Sequence, residues 1–503
     1  MYKVIIEPAG ITRHAEEGTL LIDLLSDAGI PLHTPCGGRG SCKKCIVTAA
    51  PLGSASDRGQ IEKLVLACMT PVTEDLLVHT EKADVGFAIP DLDNLPPGEN
   101  LVLALDLGTT TMQPALVHQP TGKTWSLPSI MNPQRRYGHD VIARIAALDD
   151  PDKAPHLTGA LLRTIAQMHR EIINFRPELK GLITQLVVSG NTTMSYLFLG
   201  LDARPLGTFP YEAPVLTFTD DMTQKARKIL TGIEKIRVLP AASAFLGGDI
   251  TGGLALMERE GIPEGTLFFD MGTNGEMFLK NGEGSLVATS CAMGPALEGM
   301  NISSGMTAAP GAVNHLSVKK ETLDISIMGD EPPAGIAGTG LIDFLSLLLN
   351  RGLIDRSGSI KKSISKTGVA GLSLKDLSFI ITEGITVTQK DIRNIQLARA
   401  ASFAGAAILL KEGHITPGEI QKVIIAGSFG ENLNLEAFKN LKFLPAFENA
   451  EYSFVGNTSL RAAAAAVEDS FFKEVSAQSR SIRVVDLASH QDFNDLYMES
   501  MNF

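Results

Sequence analysis

Twice in this chain, far apart, a strand of apolar residues ends in an acid and breaks into glycine and hydroxyl residues. Leu101–Thr111 reads LVLALDLGTTT, and Thr266–Glu276 reads TLFFDMGTNGE. An unbroken apolar run of this length, closed by a glycine turn, is the pattern of a strand covered on both faces. Two further runs end the same way, QLVVSGNTT at Gln185–Thr193 and KVIIAGSFG at Lys422–Gly430. Helix-length segments, Pro155–Asn174 and Lys390–Lys411, lie between them, and the proline suits a first helical turn. Strands alternating with helices build an α/β body. Two copies of the same strand and turn predict a duplicated fold with a cleft between its halves.

The turns suit a nucleotide. In the first, Gly108 permits close approach while Thr109, Thr110 and Thr111 offer hydroxyls and backbone N–H groups to phosphate oxygens. Gly272, Thr273, Asn274 and Gly275 do the same in the second. Asp106 and Asp270, at the strand ends, are placed to hold Mg²⁺ through waters, because that ion keeps much of its hydration shell. One such turn says little, since Asp-Gly turns are common at strand ends; two, joined to Gly427 and Ser428 of the third turn, point to ATP, with the third loop on the adenosine. Asp249, in Gly247-Gly248-Asp249 before a helix, reads either as a water-orienting carboxylate or as a helix cap. Gly338, Thr339 and Gly340 could add backbone donors near the nucleotide, but their string is too incomplete for a Rossmann turn.

The chain has five cysteines, and four stand in the first 70 residues. Cys36, Cys42 and Cys45 share the loop PCGGRGSCKKC with C-x5-C-x2-C spacing, and Cys68 follows in LACMT. Iron–sulfur clusters need thiolates converging on one small inorganic core, with glycines that let the backbone wrap it. A zinc site is the competing reading, but four-thiolate zinc sites show paired knuckles, not three cysteines in one loop. The spacing favours [2Fe–2S], with [4Fe–4S] as the variant. Around this loop, Tyr2–Glu7 alternates as a strand, Leu20–Ala28 has a helical period, and Ile46–Thr48 and Leu76–Thr80 supply short strands. That order is what a β-grasp ferredoxin requires. Cys291 stands alone and has no assigned role.

A net charge of −12 argues against a nucleic-acid binder, which needs a basic face. No stretch reaches the length of a membrane span, and the N-terminus lacks the pattern of a secretory signal, so a cytoplasmic protein is expected. Prolines and acids in Pro90–Gly98 mark a linker. The expected domains are 1–88, a linker at 89–99, a first half at 100–245 and a second at 246–503.

Taken together, these residues resemble the reductive activators of corrinoid proteins. The likeness also covers Asn132–Ile145 (NPQRRYGHDVIARI), Gly294–Val313 and Gly338–Asp343. It implies a multidomain α+β and α/β architecture: an N-terminal β-grasp [2Fe–2S] domain, then a duplicated RNase H-like ATPase body of the actin, hexokinase and acetate-kinase superfamily. It implies that Cys36, Cys42, Cys45 and Cys68 hold the cluster, and that Asp106 and Asp270 belong to a Mg–ATP site. The implied activity is ATP-dependent reduction of a Co(II) corrinoid protein or cobalamin-dependent methyltransferase to Co(I), fed by an upstream electron donor. No nucleic-acid or membrane partner is expected, and a homodimer is left open. Rival expectations are a dehydratase activator, a small-molecule kinase and a redox-binding module. Two departures stand out. Gln113-Pro114 interrupts the strand after the first turn, predicting a short or edge hairpin. Ala337 occupies a place where a cysteine is often expected. Ser303 and Ser304, on a polar glycine-flanked loop, read either as a corrinoid contact or as plain surface.

Overall fold

The structure, a computed structural model, describes residues 1–28, 30, 32, 34, 38–41, 43–52, 63–80, 100–138, 140–151, 153–361, 367–427 and 432–503. Cys36, Cys42, Ser428 and the linker at 89–99 lie outside the described residues. The chain forms two compact units, one of Met1–Thr34, Gly38–Gly248 and Ala462–Lys473, the other chiefly of Asp249–Arg461 and Glu474–Phe503.

The first unit opens with a small sheet. Its strands are β1 (Tyr2–Glu7), β2 (Ile11–Ala15), β3 (Ile46–Pro51), β4 (Lys63–Leu66) and β5 (Leu76–His79), with helix α1 (Leu21–Asp27) after β2. They lie in the order β2-β1-β5-β3-β4, and β5 runs parallel to β1. Leu21, Leu24 and Leu25 face Val4, Ile6, Val47 and Val78, so the i, i+3, i+4 stripe of α1 closes one core with alternate strand residues. This is the β-grasp arrangement expected from the order of elements.

The same unit continues with β6 (Leu101–Leu107), β7 (Thr111–His118), β8 (Lys123–Ser126) and the short β9 (Ile130–Met131). Helices α2 (Val141–Ala146) and α3 (Ala154–Phe175) follow, then β10 (Ile183–Ser189), α4 (Thr192–Leu199), α5 (Gln224–Ile229) and β11 (Lys235–Val238). The sheet order is β11-β10-β6-β7-β8. Leu157, Leu161, Ile165, Met168 and Ile172 of α3 make the apolar stripe of a covering helix.

After α6 (Gly248–Glu260), the second unit repeats the plan with β12 (Thr266–Met271), β13 (Asn274–Lys280) and β14 (Leu286–Ala292). An insertion follows, made of β15 (Ala312–Lys319), β16 (Thr322–Ile327), β17 (Gly335–Ile336), α7 (Gly338–Asn350) and the hairpins β18 (Ser373–Lys375), β19 (Ser378–Thr382) and β20 (Ile385–Thr388). Then come α8 (Gln389–Glu412), β21 (Lys422–Ala426), α9 (Leu435–Asn440), β22 (Glu451–Phe454) and β23 (Arg483–Val484). The sheet order is β22-β21-β12-β13-β14, with β23 at the edge. Numbered within each half, both sheets read 5-4-1-2-3, with an antiparallel meander of three strands and two parallel additions. The expected duplication is therefore built into the chain. Helix α8 begins with a capping box between Thr388 and Asp391.

One expectation is corrected. Pro114 does not shorten its hairpin: β7 has eight residues and lies between β6 and β8. The carbonyl of Pro114 accepts from Leu127 N at 3.0 Å, so its missing N–H faces the β8 side just beyond the last pair, Ala115 with Ser126. No bond to β6 is lost. The side-chain amide of Gln113 donates to the carbonyl of Leu127, supplying the donor that proline lacks.

Candidate nucleotide and cluster sites

In the first unit, Asp106 closes β6 between Gln113 of β7 and Ser189 of β10. The turn that follows is gripped from one side. Asn132 Nδ2 donates to Gly108 O at 2.8 Å, the Asn132 backbone N donates to Thr110 O at 2.8 Å, and an Arg144 guanidinium nitrogen donates to Thr109 O. Three successive carbonyls thus point at the same brace. Across a planar trans peptide the next N–H points the opposite way, so the N–H groups of Thr109, Thr110 and Thr111 face away from it. Such a run of donors is a nest for an anion. A Cβ on Gly108 would strike Thr111 O, which explains the glycine.

The brace comes from the Asn132–Ile145 string. Asn132 and Gln134 are buried, and Arg144 is 0 % exposed despite its charge. Asn132 Oδ1 accepts from Gln134 N at 2.9 Å and so starts the 3-10 turn Pro133–Arg136. Arg144 Nε also donates to Gly138 O at 2.9 Å. Asn191 caps α4 through Met194 N and turns its amide to Thr109 Oγ1 at 2.9 Å. The sequence singled out this string only by resemblance. Its task emerges from contacts spanning 22 to 35 positions.

The second turn is surrounded by acids. Asp270 closes β12, paired across β13 with Glu276. Glu276 is 7 % exposed; burial pushes its carboxyl well above the usual glutamate range, and the charges of Asp249 and Asp270 push the same way. Ser290 Oγ donates to Glu276 Oε1 at 3.4 Å. Thr273 Oγ1 donates to Glu298 Oε1 at 2.6 Å, so this threonine serves an acid. Asp249 sits in the first turn of α6, its Oδ1 accepting from Ile250 N at 2.8 Å. Among the described residues no three side chains converge closely enough to ligate a metal directly. An acid trio of this kind fits an ion held through its own waters.

Gly427, with φ +99°, needs its missing side chain, since a Cβ would lie 2.7 Å from Met271 O and 3.0 Å from Asp270 Oδ1. Gly427 therefore lies directly against the second turn. Asn274 opens β13, while Gly272 N donates to Asn274 O at 3.0 Å and tightens the turn. Gly275 has a packing reason, because a Cβ there would meet Met293 Sδ and Cys291 Sγ. Cys291 is buried beside it, its Sγ donating to Gly275 O at 3.3 Å, and burial pushes the thiol pKa up. It behaves as a small apolar residue.

Gly338, Thr339 and Gly340 form the buried first turn of α7, and Thr339 Oγ1 donates to Asn314 O at 2.8 Å. Beside α7 lies a cavity of about 480 Å³ whose walls include Ser317, Asp343, Ser346, Asn350, Asn434 and Asn440. Asp343 Oδ2 accepts from His315 Nδ1 at 2.9 Å and from Leu316 N at 3.2 Å, while buried Oδ1 has no partner among the described residues. Ser303 and Ser304 are tied down: Ser303 N donates to Asp391 Oδ1 at 2.8 Å and Ser304 Oγ accepts from Thr386 N at 2.9 Å. Those bonds give the loop a structural task at the start of α8.

In the β-grasp sheet, Cys45 (0 % exposed) and Cys68 (4 % exposed) bring their Sγ atoms to 3.2 Å. Gly38 and Gly40 have φ of +84° and +77°, the left-handed turns that wrapping a cluster demands. Two buried sulfurs converging beside a glycine loop suit thiolate ligation, and with it a [2Fe–2S] cluster.

Comparison with known proteins covers most of the chain. Residues 4–73 match the 2Fe-2S iron-sulfur cluster binding domain, 101–260 the RACo middle region, and 264–503 the C-terminal domain of RACo, the ASKHA domain. The corrinoid activation enzyme RamQ of Eubacterium limosum is 26% identical, over 87% of this chain and 88% of its own. The [Co(II) methylated amine-specific corrinoid protein] reductase of Methanosarcina barkeri is also 26% identical, over 80% of this chain and 76% of its own. A solved structure, a reductive activator for corrinoid,iron-sulfur protein, aligns with TM-score 0.73 at 28% identity, over 100% of this chain and 98% of that one. Among the described residues no helix is long and apolar enough to cross a membrane.

Proposed function

This chain belongs to the family of reductive activators of corrinoid proteins, and we propose that it delivers an electron to a Co(II) corrinoid protein in a step driven by ATP. Cys36, Cys42, Cys45 and Cys68 would hold the [2Fe–2S] cluster, which when bound supplies one low-potential electron. That electron converts Co(II) to Co(I), and a low-potential one-electron donor restores the reduced state.

The remaining work falls to the chain's own side chains. The N–H groups of Thr109, Thr110 and Thr111 bind phosphate oxygens, held in place by Asn132 and Arg144. Asp106 and Asp270 are the carboxylates that would hold hydrated Mg²⁺, which supplies neutralisation of phosphate charge. Asp249 orients the attacking water, which gives its proton to an oxygen of the departing phosphate as the terminal P–O bond breaks, while Glu276, kept neutral by burial, spares the trio a further negative charge. Gly427 and Ser428 would meet the adenosine, and the cavity beside α7 suits its base.

A ligand moves an equilibrium only by its difference in affinity between two states. ATP therefore favours the form docked to the Co(II) partner, and hydrolysis favours release. The observation that carries this reading is the pair Cys45 and Cys68, Sγ to Sγ at 3.2 Å, in one chain with two acid-ended turns on duplicated sheets. The test is anaerobic: the protein, a Co(II) corrinoid partner, a chemical reductant and Mg–ATP are mixed, and the Co(I) absorption band is followed. The band is expected with ATP alone among nucleotides. Its absence with every candidate partner, despite an intact cluster and ATPase activity, would overturn the proposal.

A further inference from the structure

The string Asn132–Arg144 touches two sites at once. At one end it grips the first phosphate turn, through Asn132 on Gly108 and Thr110 and through Arg144 on Thr109. Three residues after Asn132, Arg135 reaches the cysteine loop. A Cβ built on Gly38 would lie 3.4 Å from an Arg135 guanidinium nitrogen and 3.8 Å from Cys68 Cβ. Gly38 stands inside the loop between Cys36 and Cys42, and Cys68 is itself a candidate ligand. The guanidinium is therefore a positive charge beside Gly38 and Cys68.

The contact is not isolated. Tyr137, the residue after the 3-10 turn, donates its hydroxyl to Asp27 Oδ1 at 3.3 Å, and Arg163 Nε of α3 donates to Asp27 O at 3.0 Å. Asp27 is the last residue of α1, so the β-grasp sheet is pinned to the same turn that carries Arg135. Asn132 and Gln134 are buried, and Gln134 Nε2 donates to Leu157 O at 3.1 Å, which stiffens the short stretch between the two ends.

We propose that this string couples nucleotide occupancy to the reduction potential of the cluster, with Arg135 as the positioning residue that carries the effect. This rests on the cluster and ATP reading above. A cation beside the cluster favours its reduced, more negative state and raises the potential. A triphosphate in the Thr109–Thr111 nest loads the brace of Asn132 and Arg144, and that load shifts the turn that carries Arg135. Arg135 then leaves the cluster, the potential falls, and the electron becomes a stronger reductant when ATP is bound.

The test is a redox titration of the full-length holoprotein, followed by the electron paramagnetic resonance of the reduced cluster, with and without a non-hydrolysable Mg–ATP analogue. In the wild type the analogue is expected to lower the potential by about 59 mV, a tenfold change in the one-electron equilibrium. Arg135→Leu is expected to show the lower potential already without nucleotide, and no further shift. Arg135→Lys, which keeps the charge, is expected to restore most of the wild-type value and its response. A wild-type potential indifferent to a bound analogue, or an Arg135→Leu potential equal to the wild type, would overturn the coupling and leave the electron-delivery reading intact. A wild-type chain that takes up no cluster would overturn that reading itself.

Discussion

The two phosphate turns start from nearly the same residues and finish in opposite electrostatic surroundings. The first is braced by an amide and a buried guanidinium, Asn132 and Arg144, with Asn191 on its threonine. The second is ringed by carboxylates, with Glu276 and Asp249 near Asp270 and Glu298 on Thr273. A backbone whose carbonyls are all held from behind offers N–H groups and suits an anion. A turn among acids suits a cation. Duplication thus supplies the frame, and the residues behind each turn set the charge that it presents.

Several substitutions would break or sharpen that contrast. The largest effect is expected at Arg144, whose charge is buried with backbone carbonyls as partners. Arg144→Met strands those carbonyls and should cost about 3 kcal/mol of stability. Chemical denaturation reads this directly, and a neutral result would mean that the brace is dispensable.

Next comes the acid side. Asp270→Asn should lower the ATPase rate by about a hundredfold, roughly 2.7 kcal/mol at the transition state, with much smaller loss of nucleotide affinity. Steady-state phosphate release and equilibrium binding separate the two quantities. If affinity collapsed while turnover survived, the division of labour would be reversed.

Asn132→Ala should act on binding instead. Loss of one turn contact is expected to weaken nucleotide affinity about tenfold, roughly 1.4 kcal/mol, with kcat nearly unchanged. Isothermal calorimetry with Mg–ADP checks it.

The smallest effect is a pH dependence. The Glu276 pKa is raised in the fold, chiefly by burial, so the native state holds its proton where the unfolded chain has released it. Stability from this group is full below the ordinary value of 4.5 and declines as pH rises from there through the raised value. Glu276→Gln should flatten that decline in nucleotide-free protein. An unchanged slope would mean that burial leaves the Glu276 carboxyl in the ordinary glutamate range.

Much of this was legible from residues alone, because strand ends and glycine turns are local signals. Asp106 and Asp270 sit at the ends of β6 and β12, where the apolar runs stop. The helices expected at Pro155–Asn174 and Lys390–Lys411 span Ala154–Phe175 and Gln389–Glu412. The brace was not legible, since nothing near Asn132 or Arg144 announces partners at Gly108 and Thr109. Pro114 misled for a related reason: its cost depends on which side of the strand lacks the donor, and on the Gln113 amide that replaces it. Glu276 was visible in the motif but its state was not, because a carboxyl's pKa depends on burial and neighbours.

The most direct measurement is a single turnover. The protein, reduced beforehand by one electron and freed of excess reductant, is mixed anaerobically with a Co(II) corrinoid protein while cluster and cobalt absorbances are recorded together. With Mg–ATP, one cluster should be oxidised for each Co(I) formed, and without nucleotide neither signal should move. Co(I) appearing while the cluster stays reduced, or equal yields with and without ATP, would contradict the account.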